Sequence, residues 1–250
     1  MSILIAVPED ENNRLWEPRL DLEILCECKK CLPEDIYMTI MRRTERLENV
    51  LEGIEEATGI EYPTVVIMPF AMVGYPLEPM IYFAIMAWGR PTELGSAPFV
   101  ALSAPALIYS SDKALTGIFL HELMHYVARS VVLALNLPVD LRTFISVQRS
   151  KDFMLRLAKI IVGNEELLEL YKDHEEGREK PELAQAIESE WIEKGLPTLS
   201  SYSLKIIMAE AMYENYKFGV PIVIDGRLVN KYGLEVAKLI DETRYTYRKP

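Results

Sequence analysis

Basic residues are in the minority in this chain. Lysine and arginine number 27 against 38 aspartates and glutamates, a net charge of −11. That balance argues against a nucleic-acid partner, which requires clustered lysine and arginine. Much of the acidic excess lies in 165–194, which reads as a solvated helical face. Long uninterrupted apolar runs are also missing. The most membrane-like span, 69–89 (PFAMVGYPLEPMIYFAIMAWG), is broken by three prolines and carries Glu78, so a buried core segment is expected rather than a bilayer span. The N-terminal run SILIAV meets Pro8 and acids at once, too short for a signal peptide, and a soluble, cytoplasmic protein is expected. Glutamine is reduced to Gln148 and Gln185, a composition that points to a thermophilic source.

Cysteine is limited to Cys26, Cys28 and Cys31, all within LCECKKCLP. Structural zinc needs four ligands and this cluster supplies three, with His174 the one histidine outside the motif described next. Free thiols, or a single disulfide in a thermophile, account for the cluster without a second metal.

Histidine is scarcer than its chemistry would suggest. Of only three, two stand four apart in LHELMHYVA (120–128), with a glutamate after the first. In a chain of this composition the pattern His-Glu-x-x-His is expected by chance about 0.004 times. Ser110, Ser111 and Asp112 offer N-caps for a helix over about 113–136, closed by Pro138. On such a helix residues i and i+4 are neighbours, so His121 and His125 can aim at one ion, with Glu122 beside it and Arg129 one turn further along the same stripe. The rest of the helix is apolar, so the polar stripe lines a cleft or is buried, and imidazoles there need a partner such as zinc.

Pro33, Glu34 and Asp35 start a second helical pattern with Ile36, Ile40, Leu47, Leu51 and Ile54 on one face, ended by Gly59. The runs 64–70 (TVVIMPF) and 99–109 (FVALSAPALIY) read as strands. Helices are expected over 150–162, 164–176, 181–194 and 200–218, with a hairpin at Asp225-Gly226 and a last helix in LEVAKLIDETR. Helix–strand–strand–helix followed by a helical half predicts an α+β fold.

HELMH on a buried helix after an apolar strand resembles the zincin metallopeptidases. The resemblance implies one zinc per chain held by His121 and His125, with Glu122 as general base. It also implies a small, mostly antiparallel sheet packed on the active-site helix, whose edge receives an extended peptide. The metzincin extension is absent, since Ala128 and Val131 stand where its Gly and third His belong. A carboxylate third ligand, as in the gluzincins, has two candidates. Glu165, with Glu169, starts a helix in GNEELLEL, where acids are common for their effect on the helix dipole. Glu210, with Glu214, sits among apolar residues in MAEAMYENY, where a buried carboxylate needs a cation, and it is preferred. His174, in YKDHEEGREK, is expected to be exposed. SSYSLKIIMAEAMYENY further resembles the toxin-type gluzincins, which implies Tyr202 as an oxyanion donor and Glu214 as the residue orienting a zinc-bound histidine.

The expectation is therefore a single metallopeptidase-like domain, with a sheet and active-helix half over 1–137 and a helical half over 138–250. It would hydrolyse peptide bonds in a peptide or protein substrate, with neither nucleic acid nor membrane as partner. The rivals are a metal-binding scaffold without turnover and a membrane-associated protease.

Overall fold

The structure, a computed structural model, describes residues 4–6, 15, 20–74, 80–92, 95–200 and 221–247. In chain order the elements are β1 (Leu4–Ala6), β2 (Leu20–Asp21), α1 (Glu23–Glu27), a 3-10 turn at Cys28–Cys31, α2 (Glu34–Thr58), β3 (Thr64–Met68), β4 (Ala71–Gly74), β5 (Met80–Tyr82), β6 (Ala84–Thr92) and β7 (Gly95–Ser103). Helices α3 (Ala104–Tyr109), α4 (Asp112–Ala134), α5 (Leu141–Gln148), α6 (Lys151–Ile161), α7 (Glu165–Glu176) and α8 (Lys180–Ile187) follow. A π turn (Glu188–Ile192), β8 (Thr198–Ser200), β9 (Val223–Asp225) and α9 (Gly226–Tyr247) complete the described chain. The fold is mixed α+β, as the order of patterns in the sequence implied.

The sheets correct the expected antiparallel pairing. The largest runs in the order β2-β3-β7-β6, with β2/β3 and β3/β7 parallel and only β6/β7 antiparallel. The reason is connectivity. Helix α2 returns the chain across the sheet, so β2 and β3 must run the same way, and only the tight β6–β7 hairpin reverses direction. Strand β3 is buried along nearly its whole length, as is β7 after Gly95. Continuous rather than alternating burial marks strands covered on both faces, and the unbroken apolar runs TVVIM and FVAL carry that signal. A second sheet, β5-β4-β8, holds one antiparallel and one parallel pair, and β1 pairs parallel with β9.

Two further expectations are corrected by caps. The strand read through to residue 109 ends at Ser103, whose Oγ accepts from the Ala106 N–H at 3.3 Å. With Pro105 in the first turn, the chain enters α3 instead. The hairpin read at Asp225-Gly226 is also replaced. Asp225 Oδ1 accepts from the Arg227 N–H at 2.8 Å, so β9 runs straight into α9. The 69–89 span contributes β4, β5 and β6, and among the described residues no helix is long and apolar enough to cross a membrane.

Helix α2 buries Ile40, Leu47, Leu51 and Ile54 on one face, and Gly59 ends it at φ 64° with its N–H on Glu55 O. That face packs on α4, which lies at the centre of the molecule against β6, α6, α7 and α9 as well. Tyr62 Oη donates to Phe119 O at 2.9 Å, and the two rings meet edge to face at 5.5 Å. Trp88 of β6 packs on Tyr126 of α4 and donates to Val223 O of β9, tying the sheet edge to the C-terminal strand. Packing of this kind fixes both the rotation of α4 and the strand it faces.

Candidate metal centre

Ser111 Oγ accepts from the Ala114 N–H and starts α4, and Asp112 follows in the first turn, as the capping residues in the sequence imply. From Ala114 to Val132 every residue is buried except His121, His125 and Arg129. Those three, one turn apart, form the wall of a cleft of about 650 Å³. The rest of the lining comes from β5, β6, Phe83 between them and the start of α8, including Ile85, Met86 and Lys180.

The two motif imidazoles face each other, with Nε2 of His125 3.0 Å from Nε2 of His121. Among the described residues His125 Nδ1 is buried with no hydrogen-bond partner. Burial, followed by the charges of His121 and Arg129, pushes His125 well below its ordinary pKa, so it is a neutral ring with a lone pair to offer. Glu122 is buried, and its Oε2 accepts from the Met86 N–H at 2.6 Å. Burial raises the Glu122 pKa, and His121, the Met86 N–H and Arg129 offset only part of that rise. Arg129 Nη1 donates to Met86 O at 2.9 Å. In an antiparallel strand both polar groups of one residue point the same way. Glu122 and Arg129 therefore engage the N–H and the C=O that flank Met86 on the outer edge of β6, the outermost strand of its sheet among the described residues.

Helix α7 supplies the rest of the site, and here the structure corrects the sequence. His174, expected to be exposed, is half-buried beside His121, their ring centroids 5.4 Å apart. Burial, with Lys180 and His121 adding to it, pushes its pKa down to about 3. Glu175 Oε1 lies 2.6 Å from His121 Nδ1. Burial pushes the Glu175 carboxyl up, but the hydrogen bond and charge of His121, with Lys180 and His174, outweigh it and hold the group below its ordinary value. An ionised Glu175 only accepts, so His121 Nδ1 directs a proton toward it. His121, His174 and Glu175 each bring one ligand atom within 4.8 Å of the others, close enough to hold a metal ion. Among the described residues no cysteine joins such a group, and Cys26, Cys28 and Cys31 are free thiols.

Gly117 makes this arrangement possible. A Cβ there would lie 2.7 Å from the Cβ of His174, so α7 approaches α4 at a distance only glycine permits. The sequence signal was a glycine in mid-helix, which weakens a helix unless packing requires it. Glu175 was hidden in the acidic stretch, where nothing but its neighbour His174 distinguished it. Glu165 is exposed in the first turn of α7, about 15 Å along the axis from Glu175, as its helix-start reading implied. Tyr202, Glu210 and Glu214 lie in 201–220, outside the described residues.

Comparison with known protein families, with curated proteins and with solved structures found no match.

Proposed function

We propose that this chain is a zinc-dependent peptide-bond hydrolase. The observation that carries the reading is the convergence of the His121 and His125 Nε2 atoms at 3.0 Å beside a buried Glu122, on the wall of an open cleft. The donor set fits the metal. Neutral imidazoles and a carboxylate are the ligands zinc favours, and two nitrogens on a tetrahedral zinc sit roughly 3.3 Å apart for bonds of about 2.0–2.1 Å. A hydrogen bond between the two rings would satisfy Nε2 of each but, among the described residues, leave His125 Nδ1 a buried nitrogen with no partner.

His121 and His125 would hold the ion. Glu175 orients the His121 ring through Nδ1, the kind of support the sequence had assigned to Glu214. The third protein ligand is Glu210 on the sequence pattern or His174 on position, since Glu175 is already engaged. When bound, zinc would lower the pKa of a coordinated water toward ~7 and polarise a substrate carbonyl. Glu122 is the proton acceptor: desolvation raises its pKa toward that of its task, and the Met86 N–H fixes its rotamer. On either side of Met86, whose own N–H and C=O are taken by Glu122 and Arg129, the edge of β6 would offer backbone groups to an extended peptide, and the apolar side chains Phe83, Ile85 and Met86 line the cleft there. Tyr202 keeps its proposed role as oxyanion donor.

The test is digestion of an unbiased peptide mixture by zinc-loaded protein, with chelated protein beside it. Cleavage in the first sample and none in the second is expected. A zinc-loaded protein that leaves the mixture intact supports a metal-binding scaffold instead.

A further inference from the structure

The proposed chemistry leaves one cation of the cleft without a role. Arg129 is committed to Met86 O and to Gln148 Oε1. Lys180, in the first turn of α8, lines the same cleft and also the adjoining recess beside His174 and Asp173. It is half-buried, yet among the described residues it makes no hydrogen bond and no ion pair. Burial lowers its pKa, and the charges of Glu175 and Glu122 hold part of that fall back. An ammonium group drawn partly out of water without a paired carboxylate is costly, and an incoming anion would offset that cost.

The charge balance points the same way. The described acidic and basic residues lining the cleft, apart from the histidines, are Glu122, Arg129 and Lys180, with Glu175 behind His121. Two cations already offset two carboxylates, so a divalent ion would leave the cleft with an excess of positive charge, halved but not removed where Glu210 is the third ligand. An anionic group on the ligand is what restores the balance.

We propose that Lys180 anchors a carboxylate of the bound peptide, either its free C-terminal carboxylate or an acidic side chain. This rests on the hydrolase reading for its substrate class, but its test reads binding rather than turnover. Lys180 is a specificity residue, and its expected effect falls on affinity rather than on the chemical step.

The probe is a fluorescein-labelled Ala-Phe-Leu-Ala peptide, titrated by anisotropy into zinc-loaded protein as the free acid, as the C-terminal amide, and as an amide with Glu replacing the last Ala. A charge-assisted contact predicts that wild type binds one of the carboxylate forms about tenfold or more tighter than the plain amide. If the free acid gains, the C-terminus is the partner, and if only the Glu peptide gains, an acidic side chain is. Lys180→Met, which keeps the apolar stem, is expected to bind all three alike with the amide affinity unchanged. Lys180→Arg is expected to retain most of the preference. Equal binding of all three by wild type, or a preference that survives Lys180→Met, overturns the assignment. A preference that depends on Lys180 in a protein that cleaves no peptide keeps the anchor and discards the hydrolase.

Discussion

His121→Ala and His125→Ala are expected to be purified without zinc, whereas Glu122→Gln retains about one ion per chain and loses hydrolysis. The contrast follows from what each side chain can reach. The two histidines bring Nε2 to one point, and removing either takes a ligand directly from the ion. Glu122 turns instead to the Met86 N–H on the β6 edge, and an amide in its place keeps volume but cannot take a proton. Losing general-base assistance is worth roughly 10²–10⁴ in rate, which separates it from small losses due to repacking. Elemental analysis checks the metal, and digestion of the peptide mixture checks the rate. Full hydrolysis by Glu122→Gln would falsify its role as base, and equal zinc in the wild type and the double histidine variant would remove the metal centre altogether.

A zinc titration decides the third ligand. His174→Asn and Glu210→Gln are compared with Glu175→Gln in one buffer. Loss of a direct ligand is expected to abolish tight binding at His174 or at Glu210, while Glu175→Gln, acting through His121, weakens it by about 10–100-fold. Glu165→Gln serves as the silent control, since that carboxylate is exposed at the far end of α7.

What the sequence made legible was set by periodicity and by caps. The α4 stripe was readable because spacing of four on a 3.6-residue helix leaves no other face for His121, His125 and Arg129, and the structure leaves just those three open in an otherwise buried run. Helix α2 was readable from its apolar stripe and the glycine at its end. Strand direction was not, because a run such as TVVIM is equally apolar whichever way its neighbour points. The α7 contribution was hidden for a different reason. His174 and Glu175 are polar residues in an acidic segment, and local composition there favours solvent. What brings them inward is a contact with Gly117, 57 positions away in sequence, and no local pattern records it.

That contact gives the last prediction. Gly117→Ala is expected both to destabilise the protein and to weaken its metal site, although alanine is the better helix former by roughly 0.5–1 kcal/mol. The new methyl would sit 2.7 Å from the Cβ of His174, an atom fixed to backbone, so relief requires α7 itself to move. Overpacking of that kind costs about 1–3 kcal/mol, which outweighs the propensity gain. The shift would carry His174 and Glu175 away from His121, so zinc affinity falls together with stability. Gly53 in α2 supplies the control, because a Cβ there meets nothing within 4 Å. Gly53→Ala should therefore show the propensity gain alone, with the metal undisturbed. Thermal unfolding of both apo-proteins, followed by zinc titration of each, reads the two effects separately. If Gly117→Ala proves as stable as Gly53→Ala and binds zinc as the wild type does, α7 is not held against α4 at that point, and neither His174 nor Glu175 belongs to the metal centre.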